Sequence, residues 1–360
     1  MLDPRLPGPM EMNLTFEGDW VQTSTVDFGF TTRNLENKIQ KARWDAGPLF
    51  ASKIDPEAGF FGEQAFVMAL ENVMGITCDP STEFVRTIFS ELSRVSAHLR
   101  SVAYLSRVVS IDTAFHYLLR EREKILDLFE LATGSRFTCN ICRPGGMNLE
   151  VTQGFLERVL FFSENLLKSL PEYHLLLTEN RSFKKRTQNK GVLSVAEINE
   201  LGLNGLIPRS AGVVSDLRIS KPYSAYREVK PTSVICPESI CPQGSDTYSR
   251  FWIKMVEIQD SLELLIQLVE KSPRQQEKRV TFLQDLLVHS GSGMAEVETQ
   301  RGVLKVEVSS RGESTPLTIK INTPSQLIAK AIPVVLKNTR EEDLSLILQG
   351  LDFSVLEIDL

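Results

Sequence analysis

No run in this chain reaches the ~18 consecutive apolar residues that a helical membrane span requires. Cysteine is scarce, five in 360 residues, and histidine scarcer still, at four. An odd, thinly spread set of cysteines excludes a disulfide framework and fits a reducing compartment. The opening "MLDPRLPGPMEMN" has neither the basic nor the apolar region of a signal peptide, so cytosolic residence is expected, with docking onto a membrane complex left open. A Gly-rich phosphate loop, a G-x-S-x-G elbow and an H-E-x-x-H helix are all missing, as are internal repeats. The net charge of −6 removes the electrostatic case for a nucleic-acid partner.

What is present is ordinary globular composition, 42% apolar and 24% charged, with length for one large domain or two to three smaller ones. "MNLTFEGDWVQT" predicts a hairpin turning at Glu17-Gly18-Asp19. From Asp79 a long helix is signalled: Asp79 can cap, Pro80 suits the first helical position, and Glu83 favours the dipole. Ile88, Leu92, Val95, Leu99, Val102, Leu105 and Val109 then recur at three- and four-residue steps, one apolar stripe along the helix. Further amphipathic helices are expected near 113–133, 151–170 and 248–270, with shorter ones near 33–47, 58–74 and 193–203. Stripes of this kind bury against one another, which makes a bundle. "GVLKVEVSSRGESTPLTIKI" alternates on both sides of a turn and predicts a second hairpin, followed by a helix near 324–337. The fold class is therefore α+β, mainly α: a long-helix core with hairpins near the N-terminus and in the C-terminal region. Three regions are expected: a hairpin region 1–32, a helical bundle 33–274 with an extended excursion at 205–247, and a C-terminal α/β region 275–360.

The chemistry-bearing residues are sparse. Cys139 and Cys142 form a C-x-x-C, and Cys236 and Cys241 a looser pair, so four thiolates for zinc are conceivable. No histidine lies beside either pair, and Pro144-Gly145-Gly146 stops the helix that a thioredoxin-type pair requires, which favours simple packing. Glu91, Arg94 and His98, at i, i+3 and i+7, suit a polar ladder beside the apolar stripe. "REREK", Arg120 to Lys124, is either a solvated face or a buried knot of ion pairs.

Several stretches in order resemble the D subunit of respiratory complex I, the NADH:quinone oxidoreductase component related to nickel–iron hydrogenase large subunits. They are "FVRTIFSELSRVSAHL" (84–99), "LLREREKILDLFELATGSRF" (118–137), "RPGGM" (143–147), "RSAGVVSDLRISKPYSAY" (209–226), "GSDTYSRFWIKMVEI" (244–258), "RGVLKVEV" (301–308) and "LDFSVLEID" (351–359). The resemblance implies a chain that binds no cofactor itself. It would pack against a cluster-bearing small subunit and other complex-I-like subunits, peripheral on the cytoplasmic face of the inner membrane. Quinone would be reduced in the cleft between the two, beside the partner's iron–sulfur cluster, in a proton-translocating complex that is inactive as an isolated chain. No cysteine precedes Cys78 and none lies in the last hundred residues, which excludes a nickel–iron centre of the hydrogenase type.

The family's functional positions are substituted here. Its first hairpin is entered by His-Pro-x-x-His-Gly, and Asp3 and Pro7 fall at the two histidines. The family's quinone Tyr falls at Pro56, after a retained Asp55, and Lys53 replaces a cluster-proximal Arg. The Asp that supports the quinone His falls at Val108, and the cluster-sensing His at Thr138, shortly before Arg143. Trp44 stands where Tyr is common. A proline or a valine supplies no proton. By the same resemblance the framework residues Glu91, Arg94, His98, Arg120, Glu121, Arg122, Glu123, Arg143 with Pro144-Gly145-Gly146, Arg209, Asp216, Arg218, Tyr223 and Tyr226 are kept, which shifts "REREK" towards a buried inter-helix network. A kept scaffold with an emptied site also fits a non-catalytic structural or regulatory paralogue.

Overall fold

A computed structural model describes residues 8–148, 151–273 and 288–360; Asp3, Pro7 and the expected boundary at 274/275 lie outside them. The hairpin forms from β1 (Glu11–Glu17) and β2 (Trp20–Asp27), closed by Gly18 at φ 60°, a backbone angle that glycine adopts without strain. Two short helices follow, α1 (Leu35–Lys41) and α2 (Gly47–Ala51), then α3 (Gly59–Met74). Helix α3 is apolar nearly all round, so it is buried on most of its surface.

The long helix α4 (Pro80–Val108) starts where its caps predict, with the Asp79 carboxylate accepting from the Thr82 N–H at 3.1 Å. The remaining long helices are α5 (Asp112–Thr133), α6 (Gln153–Tyr173) and, after several short elements, α11 (Thr247–Lys271). Between α5 and α6 lies a two-residue ladder, β3 (Cys142–Arg143) with β4 (Gly146–Met147). Pro171 lies in the last turn of α6, and a π-helical turn, His174–Thr178, follows where the sequence pattern stops. A proline ring displaces the carbonyl one turn back, and a wider turn accommodates it. The expected excursion contains α9 (Leu206–Ser210) and α10 (Leu217–Ser220), preceded by α7 (Arg181–Thr187) and α8 (Val195–Glu200).

The C-terminal hairpin gains a strand that alternation did not signal. Its sheet runs β5 (Gly291–Glu298), β6 (Val303–Ser310), β7 (Thr318–Asn322), antiparallel throughout with β6 central. Helices α12 (Pro324–Leu336), α13 (Leu344–Leu351) and α14 (Val355–Ile358) end the chain.

One core joins these elements. The Phe89 ring on α4 stacks on Phe129 of α5 and Phe155 of α6, with centroids 5.8 and 5.6 Å away, and meets Phe60 of α3 at 5.4 Å. Val297, Val306 and Ile321 carry the sheet into the same core, and Leu262 and Leu265 carry α11. A second apolar cluster packs α12 and α13 under Met12, Leu14 and Val26 of the N-terminal hairpin. Each fully buried Leu or Phe contributes about 1.5–3 kcal/mol. Among the described residues no helix is long and apolar enough to cross a membrane.

Candidate functional site

The loop at residues 52–58, between α2 and α3, carries Lys53, Asp55 and Pro56. It is tight because two glycines let α3 approach α2 backbone to backbone: a Cβ on Gly59 would sit 2.5 Å from the Ser52 carbonyl oxygen, and one on Gly62 2.2 Å from that of Ala51. Arg33 donates to the Lys53, Ile54 and Leu356 carbonyls. Beneath the loop, the Asp55 carboxylate accepts from Arg301 at 2.5 Å and Gln300 at 2.8 Å. At its far end Glu57 pairs with Arg100 of α4 at 2.7 Å, and the Arg100 guanidinium lies 4.7 Å from the Tyr104 ring centroid.

Lys53 reaches across to the segment after α5, where its Nζ donates to Thr138 Oγ1 at 2.8 Å. The neighbouring Arg136 is held on the surface of α5 by Glu123, Asp127 and Glu130. Arg143 follows in the β3–β4 ladder, its guanidinium donating to the Asn140 and Cys142 carbonyls. That ladder is pinned from below: Arg86 pairs with Glu71 at 2.8 Å and donates to the Arg143 and Gly146 carbonyls, while Glu71 also accepts from the Gly145 N–H. The Glu63 carboxylate of α3 accepts from the Cys142 N–H. Burial pushes the Glu63 carboxyl up to about 7, against the opposing pull of that N–H and of Arg143.

Pro56 is half-buried and offers no donor; Val108 is buried at the end of α4, eight residues or about 12 Å along the helix from Arg100. Trp44 is fully buried and its indole N–H is already committed to the Glu313 carbonyl at 2.8 Å. The structure thus brings together Lys53 and Thr138, at one end of a loop whose other end is tied to α4. Cys139 and Cys142 are buried in the main core, whereas Cys236 and Cys241 belong to a separate small apolar cluster. Burial pushes all four thiols up, away from the thiolate form that metals and electrophiles meet.

Glu91, Arg94 and His98 do form a ladder, within a buried network larger than their spacing implies. Glu91 accepts from Tyr226, Arg94 and Arg218. Arg218 pairs with Asp216 at 2.8 Å, and Arg94 donates to the Glu298 and Thr299 carbonyls at 2.7 Å. His98 meets Glu257 at 2.9 Å; Glu257 and Glu298 both accept from Arg209 at 2.7 Å. Burial alone would raise Glu257, but Arg209 and the His98 hydrogen bond outweigh it and hold the carboxyl far below the usual range. Burial lowers the His98 pKa despite the opposing hydrogen bond to Glu257.

Arg120 and Glu123 do not join this network, which corrects the expectation of a buried inter-helix knot. Arg120 and Lys124 pair with Glu121 on their own helix, and Glu123 pairs with Arg136 at the surface. The reason is helical phase. Leu118, Glu121 and Ile125 share the apolar stripe, so Glu121 is the buried member and Arg120, Glu123 and Lys124 face solvent. Glu63, Glu71, Glu257, Glu298 and Arg301 were not anticipated from sequence. For Glu63 and Glu71 the signal was available: two carboxylates eight residues apart in an otherwise apolar helix must be buried and partnered.

Comparison with known proteins yields one family model, described as respiratory-chain NADH dehydrogenase, 49 Kd subunit, which matches residues 109–284 and 277–360. The chain is 28% identical to the D subunit of the NADH-quinone oxidoreductase of Desulforamulus reducens, covering 99% of this chain and 95% of that one. It is 25% identical to the D subunit of the F(420)H(2) dehydrogenase of Methanosarcina mazei, with 99% and 95% covered. Among solved structures, a chain of the membrane-bound sulfane sulfur reductase, an archaeal respiratory membrane complex, superposes with a TM-score of 0.91 at 25% identity, covering 98% of this chain and 94% of that one.

Proposed function

Because the chain belongs to the family of the 49 kDa subunit of respiratory-chain NADH dehydrogenase, we propose that it is the D-type subunit of a membrane-associated electron-transfer complex. In this reading it packs against a smaller partner carrying the terminal iron–sulfur cluster and forms one wall of the cleft in which the acceptor is reduced. It holds no cluster of its own, and it meets the membrane only peripherally, through the other subunits. The observation that carries the reading is the Lys53–Thr138 hydrogen bond at 2.8 Å, between the two positions that the resemblance sets beside the partner's cluster. The test is co-expression with the neighbouring genes and purification on a tag on this chain. Recovery of a cluster-bearing small subunit is expected, and loss of it with Lys53→Glu. A chain recovered alone, with its neighbours expressed and soluble, sinks the reading.

What this wall does to the acceptor differs from the family's pattern. Quinone reduction consumes two protons, and the positions that would donate or support donation hold Pro56 and Val108, which have no proton to give. The wall therefore shapes and charges the cleft, and protons for the acceptor come from solvent or from the partner. The name of one structural relative, a sulfane sulfur reductase, supports an acceptor that differs from quinone on a similar scaffold. The same two substitutions favour a second reading, a non-catalytic paralogue that binds a similar partner. Exchanging this chain for a standard D subunit and measuring NADH:quinone turnover separates the two. Turnover near that of the standard complex eliminates the paralogue.

A further inference from the structure

A cavity of about 370 Å³ opens where the C-terminal end of α3 meets the N-terminal end of α4 and the segment 223–228. It lies at the far end of α3 from the loop at 52–58: Asn72, on its wall, is thirteen residues or about 20 Å along the helix from Gly59. Its volume falls in the range of about 300–1,000 Å³ that small-molecule sites occupy. Met68, Ile76 and Phe84 give it an apolar wall. Glu71 also lines it, but is answered by its own chain, through Arg86 at 2.8 Å, the Gly145 N–H at 2.8 Å and the Cys78 thiol at 3.1 Å.

Glu83 is not answered in this way. It is half-buried in the first turn of α4, makes no ion pair among the described residues, and its Oε2 is buried without a hydrogen-bond donor. A carboxylate oxygen taken out of water without a donor is costly, so the position favours an arriving cation. Arg227 lines the same cavity from the segment 223–228. Its Nε donates to the Pro222 carbonyl at 3.2 Å, and among the described residues it pairs with no carboxylate, neither Glu83 nor the adjacent, exposed Glu228. Folding thus lines one space with an unmet carboxylate and an unmet guanidinium that do not meet each other.

We propose that this cavity binds a small zwitterion, one ammonium and one carboxylate on a short apolar body, as in an amino acid. The ammonium goes to the buried Glu83 oxygen, the carboxylate to the exposed Arg227 guanidinium, and the body to Met68, Ile76 and Phe84. Each charge then gains a charge-assisted hydrogen bond. A lone cation leaves Arg227 unanswered, and a lone anion leaves Glu83 so. The site is independent of the subunit reading above.

Norleucine and 6-aminohexanoate test it, because they are isomers that differ only in where the ammonium sits. n-Pentylamine is either one without its carboxylate, and hexanoate is either one without its ammonium. Calorimetric titration of the full chain is expected to give one site for one of the isomers, and which isomer binds fixes the spacing of the two charges. Its affinity is expected to exceed that of hexanoate by about tenfold or more, and that of pentylamine by about fivefold, since an exposed ion contact contributes less than a buried one. Glu83→Gln is expected to cost about tenfold in the affinity of both the isomer and pentylamine. Arg227→Gln is expected to bring the isomer down to the affinity of pentylamine and to leave pentylamine unchanged. Arg136→Gln, whose guanidinium already has three carboxylates, is expected to change nothing. No binding of either isomer, an affinity matched by pentylamine or hexanoate, or unchanged affinity in Glu83→Gln overturns the proposal. If Glu83→Gln fails to fold, Arg227→Gln decides, because that residue is exposed; isomer binding as tight as in the wild-type chain then overturns it.

Discussion

Two groups of cations, one on α4, α9 and α10 and one around residues 52–58 and 137–138, are built on opposite terms. On one side, Arg94, Arg209 and Arg218 are wholly buried, and each is met by carboxylates or backbone carbonyls. On the other, around residues 52–58 and 137–138, Arg122 and Lys53 are half-buried and no carboxylate pairs with either among the described residues. A charge that is fully answered by its own chain is a structural part. A charge that no carboxylate of its own chain meets is available to something else. The buried network of Glu91, Arg94, Arg209, Asp216, Arg218, Glu257 and Glu298 ties α4, α9, α10 and α11 to the sheet.

The sharpest way to break this comparison is to delete one arginine from each side. Removing a partner from a buried pair leaves an uncompensated charge, so Arg218→Leu is expected to destabilise by about 3–5 kcal/mol. Arg122→Leu removes a charge that no carboxylate pairs with among the described residues and leaves an apolar group against Phe137. It is expected to be neutral or to stabilise by up to about 2 kcal/mol. Urea unfolding midpoints at constant m-value measure both. A cost for Arg122→Leu equal to that of Arg218→Leu would show that Arg122 is answered after all.

Acidity separates a paired from an unpaired carboxylate in the same manner. Glu257 is depressed in the folded state, so its contribution is present above the unfolded pKa and is lost as pH falls towards the folded one. Glu63 is raised, from 4.5 to about 7, so the folded state holds its proton more tightly than the unfolded state does. Its contribution is favourable at low pH and declines as pH rises through that window, by about 1.4 kcal/mol per unit of separation at most. Glu63→Gln keeps an oxygen for the Cys142 N–H and removes the ionisation. Relative to wild type it is expected to gain stability steadily between about pH 4.5 and 7. Glu257→Gln is expected to cost most at neutral pH and least in acid. Parallel pH profiles for the two variants would overturn the assignment. Glu357, also raised to about 7, remains in all three proteins and cancels in the differences.

Much of the scaffold was legible because single-helix signals are local. The Asp79 cap, the Ile88-to-Val109 stripe and both hairpins follow from spacing alone. Strand β5 was not legible, because "GSGMAEVE" opens on two glycines and alternates too briefly to stand out from a loop. Its register is imposed by pairing with β6. The extension of α6 to Pro171 and the π turn after it likewise depend on packing that outweighs proline's preference. At the candidate site, the identities of Pro56, Val108 and Thr138 could be read directly, because an identity at a position needs no geometry. The cations around it could not. Arg100 and Arg122 lie in ordinary helical runs, and only the fold shows that Glu57 answers the first while, among the described residues, the second meets the Phe137 ring and no carboxylate.

Lys53 tests the comparison more gently. Its bond to Thr138 is partly exposed and neutral at one end, worth about 0.5–1.5 kcal/mol at most, so Thr138→Val is expected to lower stability by no more than that. A larger loss, measured by the same unfolding curves, would move the pair from the cleft's edge into the scaffold.

A small effect is also expected at the C-x-x-C, the feature that looks most like chemistry in the bare sequence. Cys139 packs in the main core near Glu63, whose charge adds to burial in holding the thiol protonated. A protonated, buried thiol neither ligates a metal nor exchanges readily with disulfides. Among the described residues no cluster of three or more His, Cys, Asp or Glu side chains is arranged to hold a metal. Cys139→Ala should therefore cost only its small packing volume, about 1 kcal/mol. Dialysis against a chelator should leave the unfolding midpoint of the wild-type chain unmoved. Elemental analysis showing one zinc per chain, lost in Cys139→Ala, would reverse the comparison, because buried thiols would then be answering to a ligand.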